Sequence, residues 1–193
     1  MKPILFNMEM VKALLEGRKT VTRRVVKPQP PPGVQRLYAG NSPDLWRSPG
    51  TDVWIKIRAP YRPGDILWVR ETWAHPSEDE IAGGTDGAIF LYRADVPSVP
   101  YAWDCWRPSI HMPKEAARIF LRVTGIRVER LQEIDDDDVV EESLEIGCYF
   151  EELWDRTIKP ADRARYGWEA NPWVWVIAFE RIDRPPEGEE DGH

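Results

Sequence analysis

In Gly17-Arg18-Lys19-Thr20-Val21-Thr22-Arg23-Arg24 a helical pattern gives way to a strand pattern. Before it, Met10, Val11, Leu14 and Leu15 recur at helical spacing and predict a helix over 9–16. Gly17 stands where a C′ glycine stops such a helix, because a residue without Cβ adopts the left-handed turn at no steric cost. After it, a β-branched run predicts a strand over 20–26. Lys27-Pro28-Gln29-Pro30-Pro31-Pro32-Gly33 ends that strand, since consecutive prolines bring no N–H to a ladder. The same eight residues hold four cations and two threonine hydroxyls. Fixed behind a helix end, these groups suit gripping a phosphate or nucleobase, or activating a hydroxyl for attack. The plain alternative is a solvated basic turn.

Further out, 34–50 reads as loop and 53–57 as a short strand. Tyr61-Arg62-Pro63-Gly64-Asp65 is a turn, and 66–73 reads as a central strand. Strict alternation puts Ile66, Trp68, Arg70 and Thr72 on one face and Leu67, Val69, Glu71 and Trp73 on the other. Glu71 and Trp73 thus end an otherwise apolar face, which marks them as candidate ligand contacts. The competing reading is that Glu71 pairs with a cation at the strand's mouth. Strands are also expected over 88–94, 119–129 and 173–181, and a short helix over 150–157. A helix over 134–144 opens with aspartates that suit the positive end of its dipole. Several strands around few helices, without βαβ alternation, predict an α+β, barrel-like domain over 1–183. Residues 184–193 form an acidic, Pro/Gly-rich tail expected to be disordered.

At 193 residues the chain is long enough to bury a substantial core. No apolar run reaches the ~18 residues of a membrane span, and the apolar N-terminal block is too short for a signal peptide. No membrane partner is expected, and the cytoplasm is the expected compartment. Cys105 and Cys148 form neither a CxxC motif nor a disulfide framework, and His75, His111 and His193 are scattered. No metal or cofactor is expected, nor histidine-based acid–base chemistry. The net charge of −7 counts against an indiscriminate nucleic-acid binder. It is unevenly spread: through Trp73 there are 13 Lys or Arg against 6 Asp or Glu, and beyond it 13 against 27. The first third therefore presents a basic surface. Ten tryptophans exceed what a chain of this length needs, so they build the core and leave some for stacking.

Five blocks, in this order, resemble the ASCH domain family of the PUA-like superfamily, in its phage- and prophage-type members. They are 17–24, 64–73, Trp106-Arg107-Pro108-Ser109-Ile110-His111-Met112-Pro113, Arg127-Val128-Glu129-Arg130-Leu131-Gln132 and Asn171-Pro172-Trp173-Val174-Trp175-Val176. The resemblance implies a small β-barrel closed at one end by helices, with a cleft between them. Most such domains are regarded as RNA- or nucleotide-binding modules. A compact branch comprises amidohydrolases that remove the acyl group from N4-acetylcytidine, using a lysine, a threonine and a glutamate. Carried over, these fall on Lys19, Thr22 and Glu142, with Glu141 the neighbouring alternative, and an arginine falls on Arg24. Many larger relatives have glycine after the glutamate, where this chain has Ser143.

The chemistry is coherent. A threonine hydroxyl attacks only when a base takes its proton, and a lysine is that base only when its pKa is drawn down toward neutrality. Burial does this, and so do neighbouring cations such as Arg18, Arg23 and Arg24. Glu142 would orient the substrate or pass the proton to the leaving amine, and Arg24 would hold the cytosine carbonyl or the developing oxyanion. In a regular strand Lys19 and Thr22 point to opposite faces, so they meet only if Lys19 precedes the ladder. The alternative function is an RNA- or modified-nucleotide-binding module without catalysis, with Trp73 exposed and stacked on a base. Ribonuclease activity ranks third, for want of a histidine pair.

Overall fold

Asn7 starts the first helix, α1 (Met8–Leu15), by accepting the Met10 N–H on its side-chain oxygen at 2.8 Å. Val11, Ala13 and Leu14 are its buried face, and a leucine fully withdrawn from water contributes about 1.5–3 kcal/mol. The helix stops at Gly17, with φ 73°. The Gly17 N–H reaches the Leu14 carbonyl at 3.1 Å and the Arg18 N–H the Ala13 carbonyl at 2.9 Å, the paired bonds of a Schellman ending. A Cβ at Gly17 would meet nothing within 4 Å. Gly17→Ala is therefore expected to lose only the cost of left-handed backbone, about 1 kcal/mol, read as a lower denaturant midpoint with an unchanged slope.

The computed structural model describes residues 1–33, 35–36, 45–47, 54–75, 90–96, 98, 105–134 and 150–186. Its strands are β1 (Lys2–Leu5), β2 (Val21–Val25), β3 (Gln35–Arg36), β4 (Leu45–Arg47), β5 (Trp54–Lys56), β6 (Ile66–Arg70), β7 (Trp73–Ala74), β8 (Leu91–Tyr92), β9 (Phe120–Arg130) and β10 (Trp173–Ile182). Two further helices are α2 (Phe150–Thr157) and α3 (Arg163–Tyr166). The class is mixed helix and strand. A five-stranded sheet has the order β1-β6-β9-β10-β2; among the described residues it is an open ladder, edged by β1 and β2. β3-β4-β5 and β7-β8 are separate small sheets. Among the described residues no helix is long and apolar enough to cross a membrane.

The chain divides into two compact units. The first comprises Met1–Arg18, Asp65–Arg122 and Glu180–His193; the second, Lys19–Gly64 and Val123–Phe179. In the first unit β1 runs parallel to β6, and β6 runs antiparallel to the start of β9. Its core gathers Trp68, Trp73, Met112, Ala116, Ala117 and Phe120. In the second unit β10 runs antiparallel to β2, and Val21, Val174 and Val176 pack with Leu131 and Trp154. The α2 residue Trp154 also donates its indole N–H to the Tyr166 carbonyl at 2.8 Å.

Two sequence expectations change here. The strand expected over 66–73 stops at Arg70, and β7 pairs instead with β8. The reason is a partner from elsewhere in the chain: the Glu71 N–H turns to the Met112 sulfur at 3.2 Å, outside the ladder. Trp68 and Trp73, which strict alternation separates, consequently share one core cluster. The stretch 34–50, expected as loop, carries the short β3 and β4. The helix expected over 134–144 lies, apart from Ile134, outside the described residues, as do 187–193 of the expected tail.

Candidate functional site

The Schellman ending delivers the chain into an irregular stretch before β2 begins at Val21. Lys19 lies in that stretch, so strand alternation does not fix its direction. It is 3% exposed, and Thr22 is 1% exposed. In the ladder Thr22 stands opposite Ile177 and Arg24 opposite Trp175, so Thr22 and Arg24 share a face. Arg23 points the other way, as Val21 does, and is also buried. Its Nε and Nη2 both donate to Glu129 Oε1, at 2.9 and 2.7 Å, and Arg127 Nε donates to Glu129 Oε2 at 3.0 Å. Glu129 thus takes up a buried charge that would otherwise be costly. Glu142 and its alternative Glu141 lie outside the described residues.

The first unit holds the other two expected contacts. Glu71 is 2% exposed, and both its oxygens are engaged: Arg118 Nε donates to Oε1 at 2.9 Å and Nη2 to Oε2 at 3.0 Å. Arg118 also pairs with Asp95 and lies 3.9 Å from the centre of the Tyr92 ring. Burial raises the Glu71 pKa above its ordinary value, against the lowering pull of Arg118. For Arg118, burial works to lower the pKa, but the bonds to Glu71 and Asp95 outweigh it and hold the guanidinium charged. The two partners pull in opposite senses. Because arginine does not deprotonate in proteins, the pair titrates at Glu71.

Trp73 is 4% exposed, where the stacking role expected an open face. β7 has neighbours on both sides, Tyr92 through β8 and Arg107 through an isolated bridge. Arg107, Trp73 and Tyr92 therefore form a row on one face. The Arg107 guanidinium sits 5.6 Å from the Trp73 ring centre, while the Phe90 and His75 rings each lie 5.7 Å away. The Trp73 indole N–H is buried and has no hydrogen-bond partner among the described residues.

The cation that the sequence reading set against Glu71 is thus Arg118. Its identity was not legible, because 47 residues separate the partners. Asp95, which pairs with Arg118, and Arg107, which bridges to Trp73, were likewise missed, since each comes from a segment without periodicity. Among the described residues no group of three His, Cys, Asp or Glu is placed to hold a metal ion. Comparison with protein-family models, with curated proteins and with solved structures returned no match to this chain.

Proposed function

We propose that the protein is a metal-independent amidohydrolase that removes the acyl group from N4-acetylcytidine or related N4-acylated cytosines. The observation carrying this reading is the burial of Lys19 and Thr22 where β2 starts, with Lys19 ahead of the ladder. That placement removes the alternation that would drive the two side chains apart. Membership of the ASCH family, with its PUA-like barrel, belongs to the same proposal and rests on the five sequence blocks.

The reaction needs one amine and one alcohol. Thr22 Oγ1 adds to the acyl carbon and gives its proton to Lys19. The carbon–nitrogen bond then breaks, and the cytosine amine leaves with that proton. Water adds to the threonine ester, Lys19 again taking the proton, and acetate departs as the hydroxyl is restored. Arg24, on the Thr22 face of β2, is the candidate donor to the oxyanion. Glu142 is proposed to orient the base or pass the proton. Glu71 and Trp73 are proposed as substrate contacts and carry no chemical step.

The test is a turnover screen of the purified chain against N4-acetylcytosine, N4-acetylcytidine and N4-acetylated RNA, with products separated by chromatography. Release of the deacylated cytosine and acetate from any of the three is expected, and the preferred one defines the substrate class. Salt-sensitive RNA binding with no turnover on all three would replace this reading with a binding module.

A further inference from the structure

With Thr22 taken as the nucleophile of the proposed hydrolase, a reading on which this rests, we infer that its site is shut and that substrate enters only after a transient opening of the free protein. Attack needs an acyl carbon about 3–3.5 Å from the threonine oxygen. Thr22 is 1% exposed and Lys19 3%, so nothing as large as an acyl group can touch either without displacing what covers them. Their neighbours on the same face are enclosed too: Ile177, opposite Thr22, and Trp175, opposite Arg24, are both buried. The other face of β2 offers no entry, since Val21 packs there with Val174, Val176, Leu131 and Trp154.

β2 itself does not supply the opening. Its pairing with β10 runs unbroken through Val21–Val25 and continues at both ends. The Phe179 N–H reaches the Thr20 carbonyl at 2.9 Å, and the Val26 N–H reaches the Trp173 carbonyl at 3.0 Å. A strand held along its whole length keeps Thr22 in place, so the atoms lying over its side chain are what move. Openings that admit substrate take microseconds to milliseconds and cap the rate of entry. When the opening precedes contact, that cap belongs to the protein and is common to every ligand. When contact induces it, each ligand has its own.

Two measurements on the intact protein test this. In stopped flow, excess cytosine, cytidine or N4-methylcytidine is mixed with the protein, and tryptophan fluorescence, to which Trp175 beside Arg24 contributes, follows binding. The observed rate is expected to level off at high concentration, at a ceiling that agrees within about twofold for all three. Separately, an amine-acylating reagent is applied and its products are read by peptide mass. Lys19 is expected to react at least about a hundredfold more slowly than the exposed Lys12. The lowered pKa that the hydrolase requires of Lys19 would make it the faster of the two were it open, so slow labelling reports its cover. A rate that rises linearly for each ligand, ceilings that differ between ligands, or labelling of Lys19 as fast as that of Lys12 overturns the proposal. Turnover with a linear binding rate removes the opening and leaves the hydrolase. No turnover of any acylated cytosine, with Lys19 still protected, removes the hydrolase and leaves the two groups enclosed.

Discussion

Arg118→Met is expected to destabilise the protein by about 3 kcal/mol at neutral pH, the low end for breaking a buried ion pair. The low end applies because the Arg118 side chain is 25% exposed, whereas Glu71 is almost wholly enclosed. The variant leaves Glu71 without either of its donors. The loss should depend on pH in a defined sense. Burial already lifts the folded-state pKa of Glu71 above 4.5, and removing Arg118 takes away the interactions that lower it. The folded variant then holds its proton more tightly than the unfolded chain does. Its stability should fall as pH rises from about 4.5 through the raised folded pKa, and level off above it. Denaturation of wild type and variant at several pH values should show the gap widest at neutrality and mostly closed near 4.5. Glu71→Gln should cost much less, because Arg118 keeps Asp95 and partial access to water. A gap that stays constant with pH would mean that Glu71 is not the group left stranded.

Thr22→Ala and Lys19→Met are each expected to lower turnover of N4-acetylcytidine by about three orders of magnitude, with the fold intact. The first removes the proposed attacking oxygen. The second keeps much of the apolar length of the buried side chain and removes the proposed base. Because the proposed mechanism has the two groups act in one proton transfer, the double variant should be little worse than either single one. Thr22→Ser keeps the hydroxyl and should retain activity within about tenfold. Circular dichroism and a denaturation midpoint for each variant separate loss of chemistry from loss of structure. Equal activity in wild type and Thr22→Ala would remove Thr22 from the mechanism.

Local signals were the legible part of this chain. Gly17 ends α1 where the apolar spacing stops, and the β-branched run beyond it is β2. The strands expected over 119–129 and 173–181 appear as β9 and β10, and the helix over 150–157 as α2. What failed was governed by distant partners. Glu71-Thr72 looks like continuing strand until the Met112 sulfur takes the Glu71 N–H. β3 spans only two residues, too few for any alternation to register. In the candidate site, chain position placed Lys19 before the ladder and Thr22 on the Arg24 face. The burial of Trp73 was illegible, because it depends on Phe90 and Arg107, which the chain brings in from elsewhere.

The most direct measurement is the mass of Thr22's peptide after acid quenching of the protein during turnover of N4-acetylcytidine. A covalent route through the threonine oxygen predicts one acetyl group on that peptide, absent from Thr22→Ala and discharged when substrate runs out. An unmodified peptide throughout rapid turnover, or an acetyl group that Thr22→Ala retains, would contradict it.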